Sequence, residues 1–417
     1  MGIITNLTRM WLTRSVKPFV FTNEFDQTLP YGDCEGLGLY IHIPFCRSLC
    51  GFCPYCKTVY DADLCGRYID ALIREIHMVG GQTAGRKEVT SLYFGGGTPA
   101  LAAGRLGEIV GAVEEHFTVT EGIGVELHPD DVTVPLLRTL REAGVTKISI
   151  GVQSFQEKYQ ALLGRGTVDL SALSAALEQV PFETVSMDFI FALPGQTFRD
   201  LRTDIDFAFS HGANHVAIYP FIDFTFTSSP LPAMDRGEKR RLLDRITTYC
   251  LERGYARTSI WTFSSGPDAH YSSMTRDNFL GFGCSAATLL REQFKINTFS
   301  VQEYCRRVED GVLPTSLTLR FSLRQRMVYY LFWTAYSTRV DEGDFQRFFG
   351  VPLRKMYGLE LRAAKLLGLV TEEGGVWQMT LKGAFFYHYY ENFYTLSYID
   401  KMWGVLRREA FPERMEL

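Results

Sequence analysis

An α/β fold built on a parallel sheet, followed by a smaller α+β unit, is predicted by three observations. Six apolar runs, at 37–43, 89–94, 123–127, 147–152, 185–191 and 215–219, read as buried strands. Helical patterns fill the intervals between them, over about 64–79, 104–117, 132–143, 169–179 and 198–211. From about residue 320 the pattern changes to helices and a short hairpin. Strands alternating with helices pair in parallel through right-handed crossovers. Such a sheet is either open and doubly wound or closed as a barrel, and periodicity does not choose between them.

The first strand runs into Tyr40-Ile-His-Ile-Pro-Phe-Cys-Arg-Ser-Leu-Cys-Gly-Phe-Cys53. Cys46, Cys50 and Cys53 are therefore spaced C-x3-C-x2-C. Three thiolates on one loop suit three corners of a [4Fe–4S] cube and leave one iron open, whereas an electron-carrying cluster usually takes four. A zinc site would show two C-x2-C pairs or later histidines at finger spacing. Cys53 and Cys56 form one such pair, but no second pair follows. A redox C-x-x-C reading of that pair leaves Cys46 and Cys50 unexplained. Nine cysteines in 417 residues, an odd count, do not suggest a disulfide scaffold.

The motif resembles the cluster loop of radical S-adenosylmethionine (SAM) enzymes. More narrowly, it is similar to the branch of oxygen-independent coproporphyrinogen dehydrogenases, their heme-chaperone relatives and the class C methyltransferases. Further matches follow in order at Tyr93-Phe-Gly-Gly-Gly-Thr-Pro99, Ser149-Ile-Gly-Val-Gln-Ser-Phe155, Asp188-Phe-Ile-Phe-Ala-Leu-Pro-Gly-Gln-Thr197 and Gly281-Phe-Gly-Cys-Ser-Ala286. The resemblance covers about residues 37–390 and implies an incomplete six-stranded (β/α) barrel. In parallel α/β architectures ligands collect at the carboxyl ends of strands, where most of these motifs begin or end.

What the resemblance implies can be carried over residue by residue. Cys46, Cys50 and Cys53 would hold the cluster, with SAM on its open iron. The loop of Gly96, Gly97 and Thr98 would approach the SAM amino group, since glycines let backbone come close. Glu126 suits an ammonium or a ribose hydroxyl, and Gln153 both donates and accepts, which suits ribose. Arg165 offers a planar fork for the methionine carboxylate. Asp188 would hold a ribose or the sulfonium of a second SAM, and Phe52 would pack near adenine. Tyr40 and Cys56 are the candidate catalytic residues, while His42 reads as structural. Outside this series, each polar residue would read as an ordinary ion pair and the three glycines as a tight turn.

Beyond the barrel, 323–333 reads as a helix, 345–350 ends another, and 361–367 followed by 368–371 and 377–383 reads as helix, turn and a short hairpin. This resembles the winged-helix-like C-terminal domain of the same family. Aromatic residues crowd 384–411 and suit a core or a pocket for a flat, apolar small molecule. The length implies two or three domains. We expect an N-terminal arm (1–36), the barrel with its extension (37–315) and the winged-helix-like or lid unit (316–417). The arm carries Arg9, Arg14 and Lys17 without an acidic residue before Glu24, and reads as a short arm packed over the active site, with an interfacial helix as the alternative. A net charge of −4 and no basic recognition stripe argue against nucleic acid. No apolar stretch reaches the roughly 20 residues of a membrane span. A reducing cytoplasm is the expected compartment, with a flavodoxin- or ferredoxin-type reductant.

The outcome of the radical stays open at this stage. Coproporphyrinogen dehydrogenases carry a fourth cysteine two places after the third ligand, where this chain has Tyr55; its nearest cysteine is Cys56. Heme chaperones generally lack that cysteine. Three readings remain: an oxidoreductase acting on a tetrapyrrole, a class C methyltransferase using two SAM molecules on an aromatic carbon, and a non-catalytic heme carrier. For the carrier, His128, His211, His215, His270 and His388 are the candidate axial ligands.

Overall fold

The computed structural model describes residues 3–229, 231–266 and 277–417. Its central sheet contains six consecutive parallel strands: β1 (Leu37–Ile43), β2 (Leu92–Gly96), β3 (Ile123–Leu127), β4 (Val145–Gln153), β5 (Thr184–Phe191) and β6 (His215–Pro220). Each is joined to the next through a helix: α2 (Ala62–Gly80), α3 (Leu106–His116), α4 (Val134–Glu142), α5 (Leu170–Gln179) and α6 (Phe198–Ser210). The strands are apolar along nearly their whole length because helices cover one face and the barrel interior the other. Strands β1 and β6 do not pair with each other, so the barrel is incomplete, as expected. The second strand begins later than its apolar run. Lys87–Val89 instead pairs with Phe117–Val119 in a separate two-stranded sheet.

The sheet continues past β1. Strand β7 (Asn278–Phe282) lies parallel to β1, and β8 (Ala287–Leu289), β9 (Gln293–Asn297) and β10 (Thr315–Arg320) follow antiparallel. The Gly281 motif is thus also a strand end, which its sequence did not reveal. Val20–Thr22 pairs with β10 and with Arg414–Glu416, so both ends of the chain meet at this edge. Helices α7 (Arg236–Glu252) and α8 (Val301–Glu309) lie between these strands in sequence.

The C-terminal part has winged-helix order. Helix α9 (Leu323–Tyr336) precedes β11 (Arg339–Asp341), then α10 (Glu342–Phe349), α11 (Leu353–Leu366) and the wing β12 (Val370–Glu373) with β13 (Val376–Met379). Met327, Tyr330, Phe345, Phe349, Leu353, Tyr357 and Trp377 give it a core of its own. The hairpin expected from 368–371 and 377–383 forms as β12 and β13, and its second arm stops at Met379. Thr380 Oγ1 accepts from Gly383 N (3.0 Å) and caps α12 (Leu381–Tyr394), which α13 (Asp400–Leu406) follows. At the N-terminus, α1 (Ile3–Thr13) packs against α9 and α12 and leaves Leu7 and Trp11 exposed. No helix among the described residues is long and apolar enough to cross a membrane.

Candidate functional site

Strand β1 delivers the cysteine loop to the carboxyl end of the barrel. Gly97 N donates to Ile43 O (2.8 Å) and Thr98 N to Phe45 O (2.7 Å), which seats the β2 loop directly under Cys46. A Cβ on Gly97 would lie 2.6 Å from Phe45 O and 2.9 Å from Cys46 Sγ, so only glycine fits there. Gly96 has φ 120°, and a Cβ would meet the His42 ring at 2.6 Å. Its N–H donates to Glu126 Oε2 (3.0 Å), while Tyr93 OH donates to Oε1 (3.1 Å). Burial raises the Glu126 carboxyl above its ordinary range, and these two donors offset only part of that rise.

All nine cysteines are free. Cys46, Cys50 and Cys53 are half-buried, and each thiolate would repel the others. Burial pushes Cys46 up to about 11 and raises Cys53. Lys57 brings a cation to the loop, donating to Cys50 O (2.7 Å) and Cys53 O (2.6 Å). Arg165 lies near enough to the same sulfurs to feel their charge. Burial lowers its guanidinium below the usual range, while the charges of Cys50, Asp130, Cys53 and Cys46 raise it. Its NH1 donates to Gly151 O (2.8 Å). Three thiols of one loop that feel one another's charge, with Lys57 at the loop and Cys46 over a glycine cradle that a Cβ would fill, are a donor set that fits an iron–sulfur cluster. A coordinated sulfur is held as thiolate whatever its free pKa.

Gln153 and Asp188 lie on neighbouring strands. Gln153 ends β4 in the left-handed region (φ 69°), where the β4–β5 register shifts. Asp188 on β5 accepts from Ser149 Oγ (2.8 Å) and Ser186 Oγ (3.1 Å), and burial pushes its carboxyl up to about 7. Glu126 is near enough to raise it further. Phe52 packs against Tyr159, Leu163, Ile190, Leu193 and Phe221, an apolar cluster beside the loop. Tyr40 stacks on Tyr93 (centroids 6.3 Å apart) and its hydroxyl meets His42 Nδ1 at 3.0 Å. His42 Nε2 lies 2.9 Å from Cys56 O. Tyr40, Glu126 and Asp188 are half-buried on β1, β3 and β5. A cavity of about 620 Å³ opens beside the cluster loop, lined by Cys50, Cys53, Tyr55, Cys56, Phe226 and Arg407 among others.

Residues 40–208 match the model of the radical SAM superfamily. That match covers less than half of the chain. Among curated proteins, it is 24% identical to heme chaperone HemW of Bacillus subtilis (strain 168), over 82% of this chain and 95% of that protein. It is 31% identical to heme chaperone HemW of Lactococcus lactis, over 44% and 48%. It is 25% identical to oxygen-independent coproporphyrinogen III oxidase of Pseudomonas aeruginosa, over 66% of each chain. The match thus spans nearly all of the first relative, about half of the second and about two thirds of the third. The solved structure of coproporphyrinogen III oxidase HemN from Escherichia coli superimposes with TM-score 0.75 at 22% identity, covering 91% of this chain and 97% of that one. At that identity the likeness establishes the fold, an incomplete radical SAM barrel with a winged-helix-like appendage.

Sequence reasoning missed several residues that hold this candidate site together. Lys57 and Arg407 carry charge at the loop, and Ser149 and Ser186 hold Asp188. Cys284 touches Cys56, although its motif was quoted without a role for the thiol. The adjacency of Lys57 to the cysteine run was the available signal for the first of these.

Proposed function

We propose that this chain is a radical SAM enzyme acting on a tetrapyrrole-type substrate in the manner of oxygen-independent coproporphyrinogen III oxidase. Cys46, Cys50 and Cys53 would hold a [4Fe–4S] cluster, and when bound the cluster and SAM supply a 5′-deoxyadenosyl radical. The reading is carried by one observation: Cys46, Cys50 and Cys53 share one loop, Cys46 Sγ lies against the Gly97 cradle, and the charges of all three act on Arg165. Arg165 would pair with the methionine carboxylate. The Gly96–Thr98 backbone and Glu126 would receive the amino group, Gln153 and Asp188 the ribose, and Phe52 the adenine. Tyr40 and Cys56, linked through His42, are the proposed proton or hydrogen donors. A flavodoxin- or ferredoxin-type reductant and a reducing cytoplasm complete the proposal.

A heme-carrier reading has one observation in its favour. His388 is buried between the rings of Phe191 and Trp261, and its Nδ1 has no hydrogen-bond partner among the described residues. Burial drives its pKa down to about 3, which keeps the imidazole neutral and able to ligate. Of the other candidates, His215 bonds Ser186 and Thr258, His211 bonds Ser210 and Phe207, and His128 caps Asp130 N. His270 lies outside the described residues.

Anaerobic incubation with coproporphyrinogen III, SAM and reductant separates the readings. We expect 5′-deoxyadenosine and substrate that has lost carbon dioxide. S-Adenosylhomocysteine with a gain of one methyl equivalent would instead mean class C methyl transfer and a second SAM. Neither product, with heme co-purifying, would mean a carrier.

A further inference from the structure

Cys56 lies three residues past the last proposed cluster ligand, and Cys284 lies in the turn between β7 and β8. They are 228 positions apart, yet their sulfurs are 3.9 Å from each other. Cys284 is fully buried, whereas Cys56 keeps 8% of its surface and lines the cavity beside the cluster loop. The approach is held from several sides. Tyr68 OH donates to His42 O (2.7 Å) and accepts from Cys284 N (2.9 Å), tying the cysteine loop's strand to this turn. Buried Glu75 accepts from Gly283 N (2.8 Å), Asn297 Nδ2 (3.0 Å) and Tyr304 OH (2.7 Å), which fixes the same turn from behind.

His42 is the third group within reach of both sulfurs, which raises a metal site as the rival reading. Its ring argues against that. Nδ1 meets Tyr40 OH and Nε2 meets Cys56 O, so neither nitrogen has a lone pair to spare without breaking a buried hydrogen bond. Two sulfurs at 3.9 Å need to close by about 1.9 Å to reach the ~2.04 Å of a disulfide. As a thiol, Cys56 donates to Phe299 O (3.2 Å). The Cys284 thiol beside it, and then His42, hold Cys56 below its ordinary range, which favours it as the attacking sulfur.

We propose that Cys56 and Cys284 are a modification site, a dithiol that closes to a disulfide and reopens by exchange with low-molecular-weight disulfides and thiols. In the first step the Cys56 thiolate attacks a disulfide R–S–S–R, forming Cys56–S–S–R and releasing RS⁻. Cys284 then loses its proton and attacks Cys56 Sγ, forming the Cys56–Cys284 bond and releasing the second RS⁻. The protein dithiol is oxidised by two electrons and the small disulfide is reduced to two thiols. Closure pins the end of the cluster loop to the β7 turn. The inference does not depend on what the radical acts on.

The cluster-loaded full chain, titrated anaerobically with oxidised glutathione, tests this. After acid trapping, alkylation and proteolysis, mass spectrometry should find a Cys56–Cys284 linked peptide that rises with oxidant and disappears with dithiothreitol, at unchanged iron content. In C284S, Cys56 should stop at the glutathione adduct. Should that variant not fold, the wild-type titration stands alone. The proposal is overturned if both thiols stay alkylatable throughout, if Cys56 links to Cys53 instead, if the wild type stops at a Cys56 adduct, or if zinc co-purifies with the pair.

Discussion

Asp188 carries a folded-state pKa of about 7, raised chiefly by burial, against an ordinary carboxyl near 3.9. Between those values the folded chain binds more protons than the unfolded one, so this group makes stability fall as pH rises from about 4 to about 7. The cost is absent below the unfolded value and complete above the folded one, at most about 4 kcal/mol. Asp188→Asn should therefore flatten the pH dependence and leave the variant the more stable partner above pH 7. Urea melts of the SAM-free chain at pH 5 and 8 check this, and parallel pH dependence of parent and variant would count against it. Glu126 is bound on both oxygens, to Gly96 N and Tyr93 OH, at the lip of the same loop. Glu126→Gln keeps the shape but removes the charge. SAM affinity should fall about tenfold or more, the worth of one charge-assisted hydrogen bond. Equilibrium dialysis that finds unchanged affinity would remove Glu126 from the SAM site.

The site depends on how close two elements come. Gly97→Ala would put a methyl 2.6 Å from Phe45 O and 2.9 Å from Cys46 Sγ, prying the β2 loop from the cysteine loop. We expect the circular dichroism of the fold to survive while reconstituted iron falls severalfold; full iron loading would show that the contact does not shape the cluster loop. Glu75, on α2, is buried with three donors on it and lies near the buried ammonium of Lys295. Glu75→Ala leaves those groups unpaired and should cost about 3 kcal/mol or more, read from denaturant midpoints. Strands β1–β6 and their helices were legible because burial on both faces writes continuous apolar runs. Strand β7 was not, since its Asn278-Phe-Leu-Gly-Phe run is only five residues long. The start of α12 was missed because the cap is Thr380, inside what reads as a strand. The three proposed ligands were legible from local spacing. Their neighbour pair Cys56 and Cys284 was not, because spacing carries no information across 228 positions.

At the scale of the whole molecule, one hydrophobic core runs from Phe21 to Leu417, while the winged-helix-like part has a second core. Division into 1–36, 37–315 and 316–417 remains our proposal. Limited proteolysis should cut first outside the sheet that joins Val20–Thr22, β10 and Arg414–Glu416. A stable fragment that lacks both chain ends would speak against that shared edge. The central claim is that the C-x3-C-x2-C loop builds a cluster that cleaves SAM. Anaerobic reconstitution followed by dithionite and SAM measures it most directly. We predict about four iron atoms per chain and accumulation of 5′-deoxyadenosine, both lost when Cys46, Cys50 and Cys53 are replaced by alanine. A reconstituted chain that remains iron-free, or a triple variant that still binds iron and cleaves SAM, would contradict the account.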